Sequence, residues 1–178
     1  NPLSLQTIVQ RINRLVDAFP HQAISFTGGE PLLHADFIAA LAPHLHAPVF
    51  LETNGTLPEA LQKVLDWTSI ISMDIKLPSV TGRELWQAHR DFMELARQKD
   101  LYVKLVVAQD TTEMEFKRAV GLVAATAPEA LFVIQPVTPY NGCLAASPEK
   151  ILLYQEEALR HLRNVRVIPQ THKMIGQL

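Results

Sequence analysis

Two glycines, a glutamate and a proline interrupt the chain after a short apolar run: "AISF" leads into Thr27-Gly28-Gly29-Glu30-Pro31. Gly28 and Gly29 have no Cβ, so a bound molecule can approach their backbone closely. Glu30 places an anionic acceptor beside that backbone, and Pro31 restricts how the chain leaves. Phosphate is an unsuitable guest, because a carboxylate repels it and neither GxxxxGK[ST] nor GxGxxG is present. A ligand cation such as an α-ammonium suits Glu30. The same residues would also make a plain tight turn with a solvated carboxylate.

Asp74 and Lys76 form a second charged feature, in "SMDIKLPS". Two residues apart on a strand, they share one face, while Ile75 and Leu77 take the other. A charged pair aimed inward is costly unless paired or bound to a ligand. Lys76 could therefore hold a ligand carboxylate, or the pair could be a structural ion pair at a rim. Lys104, in "YVKLVV", points inward or lays its stem along the sheet with its ammonium in water. Glu52, Thr53 and Asn54 read as hydroxyl-binding groups or as Asn-Gly turn chemistry. No histidine pair has metal spacing. His34, His44, His46, His89 and His161 fall on helical patterns and His21 in a loop, all six read as solvated; His172 follows the last apolar run. Cys143, with no histidine near it in sequence, reads as an ordinary loop thiol.

These residues need a scaffold. Short runs rich in Val, Ile and Phe ("AISF", "PVFL", "SIISM", "LYVKLVV", "LFVI", "VRVI") suggest strands buried on both faces. Amphipathic segments separate them. Ile8, Ile12, Leu15, Val16 and Phe19 make one helical stripe. Capping boxes are expected at Thr81/Glu84 and Thr112/Glu115, and Ser147 with Pro148 reads as another helix start. Each good cap stabilises its helix by about 1 kcal/mol. Alternation of this kind means βαβ units and a parallel sheet. Nearly every strand releases polar groups at its C-terminal end, which a barrel gathers around one mouth. An open sheet would concentrate them at one switch point. A whole eightfold barrel takes about 250 residues. The expectation is an α/β fold: a partial (β/α) TIM-like barrel of about six parallel strands, or a fragment of a whole one.

The chain has 178 residues, 48% hydrophobic and 19% charged, with a net charge of −2. That fits a single domain over residues 1–178 and offers no basic footprint for nucleic acid. No apolar run reaches the roughly 18 residues of a membrane span, and no signal peptide is visible. The lone cysteine excludes internal disulfides and is compatible with the cytoplasm.

In order and spacing, "FTGGEPLL", "LETNGT", "SMDIKLPS", "VKLVV", "QPVTP" and "PQTHKMIG" resemble the radical S-adenosylmethionine (SAM) superfamily. Within it the chain most resembles the 7-carboxy-7-deazaguanine synthase-like proteins of queuosine and deazapurine biosynthesis, over nearly its whole length. The resemblance implies a partial (β/α) barrel. It implies that Gly28, Gly29 and Glu30 receive the methionine ammonium of SAM, with Thr53 and Asn54 beside them. Asp74, Ile75 and Lys76 would lie along the methionine and ribose, Lys76 near the carboxylate. Gln135, Pro136, Val137 and Thr138 would contact the adenosine. Thr27 and His172 would reach the substrate. The implied reaction is a magnesium-assisted ring contraction of 6-carboxy-tetrahydropterin with loss of ammonia, begun by a 5′-deoxyadenosyl radical; the cofactors supply the hard chemistry. Flavodoxin or ferredoxin would be the electron donor, and a homodimer is allowed.

One departure from the family is large. Its CxxxCxxC loop, whose thiolates hold a [4Fe–4S] cluster, has no counterpart here, and Cys143 cannot hold a cluster alone. The magnesium ligand beside those cysteines is missing too. The expectation is a fragment that lacks the first strand and cluster loop, binds no metal and does not turn over. Two other readings remain: an activating enzyme that installs a glycyl radical on a partner protein, and a cluster-free module that binds SAM or a nucleotide. Three correctly spaced cysteines upstream of Asn1 would exclude the last.

Overall fold

The computed structural model describes residues 3–139 and 142–174. Ser4 accepts the Thr7 N–H at 3.2 Å and starts helix α1 (Leu5–Ala18). There follow β1 (Ile24–Phe26), α2 (Ala35–Leu41), β2 (Val49–Thr53), α3 (Pro58–Val64) and β3 (Thr68–Ile75). A one-turn helix α4 (Pro78–Thr81) and α5 (Trp86–Ala96) lead to β4 (Asp100–Val107), α6 (Glu113–Thr126) and β5 (Leu131–Pro136). Helix α7 (Pro148–Leu159), β6 (Val165–Val167) and α8 (Thr171–Met174) complete the described chain.

All strand pairs are parallel, and the order is β1-β2-β3-β4-β5-β6. A doubly wound sheet would reverse its order at a switch point. Here each strand pairs with the next in sequence, which is the winding of a barrel and brings every C-terminal end to one rim. The expected partial barrel of six strands is the fold observed.

Burial alternates along the central strands. Leu51, Ile71, Met73, Val103, Leu105, Phe132 and Ile134 are fully buried against the helices. Their alternates Phe50, Glu52, Asp74, Tyr102 and Lys104 stay half-exposed on the concave face. The expectation of strands buried on both faces is thus corrected. The helices cover one face, and the other carries polar groups. Phe116 anchors α6 to α7 by stacking on Tyr154, with centroids 4.0 Å apart.

Helix α1 is held in an unexpected way. Its apolar stripe is only half-buried at Ile8, Ile12 and Val16, and Leu15 and Phe19 are exposed. The buried residue is Asn13, which donates to the His44 carbonyl at 2.8 Å and accepts the His46 N–H at 3.0 Å. Thr112 and Ser147 cap α6 and α7 as the sequence predicts. Thr81 does not cap α5. Pro78 starts a helical turn ahead of it, and Gly82 ends that turn at φ +66°, so Thr81 closes α4, accepting the Arg83 N–H at 3.3 Å. Among the described residues no helix is long and apolar enough to cross a membrane.

Glu115 does more than cap. Its Oε1 accepts the Ser79 N–H at 2.9 Å and its Oε2 the Thr112 hydroxyl at 3.0 Å, so it ties α4 to α6. Burial pushes the carboxyl up, but these hydrogen bonds outweigh it and hold it below the ordinary glutamate range. A depressed folded pKa contributes stability above the unfolded value that is lost as pH falls through the folded one. Glu115→Gln should therefore be less stable than wild type at neutral pH. In urea titrations the gap should narrow as pH drops below about 4.3, the ordinary glutamate value.

Candidate functional site

The rim begins with Thr27, Gly28 and Gly29, all exposed after β1. Gly28 and Gly29 both have left-handed φ, +90° and +57°. A Cβ on either would meet nothing within 4 Å, so the segment is open on the side a ligand would occupy. Glu30 then turns back into the protein. Its Oε1 accepts the Leu32 N–H at 3.1 Å and the Thr53 hydroxyl at 2.8 Å, and its Oε2 accepts the Asn54 N–H at 2.8 Å. A carboxylate offers about four acceptor sites. Three are filled, which leaves one on Oε2 for a further donor. Glu30 is thus a strut between the β1 and β2 ends as well as a candidate ligand group.

The β2 end is shaped by that strut. Thr53 is buried on the helix side, donates to Glu30 and accepts the Gly55 N–H at 3.2 Å. Asn54 Oδ1 accepts the Thr56 N–H at 3.0 Å, the local turn chemistry its sequence suggested. The side chains of Thr53 and Asn54 are therefore engaged within the protein.

Charged groups from β2, β3 and β4 meet on the concave face. Asp74 Oδ2 accepts the Lys76 ammonium at 3.1 Å. Lys104 Nζ stands 3.1 Å from Asp74 Oδ1 and 3.8 Å from Glu52 Oε2. The β3–β4 register explains this, since Asp74 sits directly opposite Lys104. Asp74 and Lys76 share one face and Ile75 and Leu77 are buried on the other, as their spacing predicts. Lys104 points inward and pairs, one of its two expected arrangements. The Lys104 contact with Oδ1 is close but out of line: Oδ1 is buried without an aligned hydrogen-bond donor. A ligand N–H or O–H could supply one.

Thr27, Gly29, Asn54, Asp74, Lys76 and Lys104 line one cleft of about 220 Å³. Larger cavities exist, including one of about 370 Å³ at the opposite end of β4 and β5. Size does not decide here, because the strand-end cleft combines the open Gly29 backbone, opposed charges and a buried acceptor without an aligned donor.

The remaining predicted residues extend the same rim. Gln135 lies beside Val106 on β5, half-exposed, and Pro136 ends that strand. Val137 donates to the Val107 carbonyl at 2.9 Å, and the Thr138 N–H donates to Gln170 Oε1 at 2.8 Å, which fastens this segment to the loop after β6. The side chain of His172 lies outside the described residues. His89, read as solvated, is instead fully buried beneath the rim. The one signal for it was the neighbouring apolar spacing of Trp86, Phe92 and Met93 on α5. His46 lies past the helical segment expected for it and pairs with Asp17 at 3.0 Å. Cys143 is exposed, and among the described residues no group of three or more His, Cys, Asp or Glu could hold a metal.

No family model matches the chain. Among curated proteins it is 42% identical to the 7-carboxy-7-deazaguanine synthase of Geobacter sulfurreducens, covering 100% of this chain and 73% of that protein. It is 32% identical to the enzyme of the same name from Thermococcus kodakarensis, over 100% of this chain and 72% of that one. Two solved structures share the fold. A domain of a pyruvate-formate lyase-activating enzyme from Bacteroides vulgatus superposes with a TM-score of 0.69 over 83% of this chain and 99% of that chain, at 16% identity. A radical SAM methyltransferase from Sphaerobacter thermophilus gives 0.67 over 93% and 56%, at 15% identity.

The fold is that of the radical SAM superfamily, whose members use SAM, a [4Fe–4S] cluster and a reductant. Within it the chain belongs to the 7-carboxy-7-deazaguanine synthase family of lyases.

The Thr53 hydroxyl is a test of the strut. Thr53→Val leaves the buried Gly55 N–H without an acceptor and removes one donor from Glu30. It should lower stability by about 1–3 kcal/mol in a denaturant titration.

Proposed function

We propose that this chain forms the SAM cradle and substrate wall of a 7-carboxy-7-deazaguanine synthase, within one domain. The ring contraction of 6-carboxy-tetrahydropterin, assisted by magnesium and releasing ammonia, is the reaction it serves. The observation that carries the reading is the convergence of Gly29, Asp74 and Lys76 on one cleft, with Asp74 Oδ1 still lacking an aligned donor.

The chemistry of an amino-acid-bearing nucleoside matches this lining. Its ammonium fits the free acceptor site of Glu30 Oε2 and the open backbone at Gly28 and Gly29. Lys76 can turn from Asp74 to the ligand carboxylate, and Asp74 can then accept a ribose hydroxyl; Ile75 holds this strand end from behind. Gln135 to Thr138 face the adenosine, while Thr27 and His172 reach the substrate. Lys104 pairs with Asp74 and Glu52 and, with Lys76, makes the two inward carboxylates tolerable in one cleft. When bound, SAM would be the source of the deoxyadenosyl radical that starts the reaction. The chain's part is to bind, orient and exclude water.

The residues fit SAM and do not fit the cluster, since one cysteine cannot supply three thiolates. No step is assigned to the cluster. The reading carries with it a pterin-like substrate, flavodoxin or ferredoxin as reductant, a homodimer and a cytoplasmic location.

Three measurements test it. In a form that carries the three cluster cysteines, Glu30→Ala and Lys76→Ala should each weaken SAM binding by roughly tenfold or more in calorimetry. Unchanged affinity rejects the cradle. Product analysis should find 7-carboxy-7-deazaguanine from carboxy-tetrahydropterin, and deoxyadenosine without that product would mean another substrate. Anaerobic reconstitution of the 178 residues themselves should give no visible iron–sulfur absorption.

A further inference from the structure

His89 stands on α5, fully buried, and reaches two strand ends at once. Its Nε2 accepts the Lys76 N–H at 3.0 Å, and its Nδ1 lies 3.0 Å from the Gly55 carbonyl. Both partners dictate the proton. A backbone N–H can only donate, so Nε2 must be bare. A carbonyl can only accept, so Nδ1 must carry the hydrogen. One neutral tautomer satisfies both contacts.

Those contacts lie where the sheet itself stops. Pairing of β3 with β4 ends at Ile75 opposite Leu105, one residue before Lys76. The Lys76 N–H therefore finds its acceptor in the imidazole. Gly55 turns the chain at φ +63°, and a Cβ there would collide with Met73. The Asn54-Gly55 turn is gripped from both sides: Glu30 takes the Asn54 N–H and His89 the Gly55 carbonyl.

We infer that His89 is a positioning residue for the SAM cradle: as its neutral Nδ1–H form it sets the Lys76 backbone and the Asn54-Gly55 turn, and its protonation releases Lys76. This rests on the reading of the cleft given above. His89 itself touches no ligand. Burial pushes its pKa down, partly offset by the bonds to Gly55 and Lys76. The charges facing it are Lys76, which lowers it further, and Asp74, which raises it; the β2–α3 turn presents the Gly55 carbonyl. A lowered folded pKa keeps the neutral form in place above the ordinary histidine value of about 6.5. The contact is lost as pH falls through the folded value.

The test has two arms. In the 178-residue chain, nitrogen-detected imidazole spectra at neutral pH should show His89 with its proton on Nδ1. His89→Gln should shift the amide signals of Lys76 and Asn54. A proton on Nε2, an imidazolium, or unmoved amides would overturn the inference without any ligand being present. In the form carrying the cluster cysteines, wild-type SAM affinity should fall on acidification. His89→Gln should lose about tenfold at neutral pH, as removal of a residue behind a ligand group commonly does, and should flatten that pH profile. Wild-type affinity and pH profile in the variant would also overturn it. If wild type bound no SAM at any pH, the reading of the cleft would fail, and the spectra would still decide the role of His89. Should His89→Gln not fold, the wild-type tautomer decides alone.

Discussion

A parallel sheet ends all its strands at the same side, and the last N–H and C=O groups there have no ladder partner. Something other than the sheet must hold the rim. In this protein the Glu30 carboxylate takes on most of that task between β1 and β2. It accepts from its own turn at Leu32, and from Thr53 and Asn54 on the neighbouring strand end. The Gly28-Gly29 backbone is displayed in a left-handed path because the chain must reverse to bring Glu30 under Asn54. The open backbone surface and the strut behind it are two consequences of one turn.

The same logic continues along the rim with different chemistry. His89 serves the β2 and β3 ends, Glu115 the start of α4 after β3, and Gln170 the segment after β5. All four groups hold backbone or side chains well separated from them in sequence. The core contributes rigidity instead: the fully buried Leu, Ile, Val and Phe side chains between sheet and helices fix strand spacing. Precision at the mouth comes from polar contacts, and those are the ones a change of protonation can undo.

Charge on the concave face is tolerated because it is matched across strands. Asp74 opposes Lys104 by register, and Lys76 and Glu52 complete an alternating cluster. Such a cluster exchanges partners at modest free-energy difference, since a ligand ion can replace a protein ion of the same sign. A wholly apolar concave face would offer an amino acid or carboxylate nothing to replace.

Much of this was legible in the order of residues alone. Alternating short apolar runs and capped helical segments determined a parallel α/β sheet, and the two-residue spacing of Asp74 and Lys76 determined that they share a face, because strand geometry has a period of two. The glycine pair marked a turn that takes a left-handed path, because residues without a Cβ adopt it freely. Which group answers which was decided only by the tertiary structure. Thr81 closes a helix that Pro78 had already begun; Asn13, beside the apolar stripe, became the anchor of α1 through His44 and His46. His89 looked like a surface histidine until α5 packed it against Gly55 and Lys76. Periodicity records what each residue prefers within its own element, whereas a hydrogen bond across 13 or 34 residues depends on where two elements meet in space.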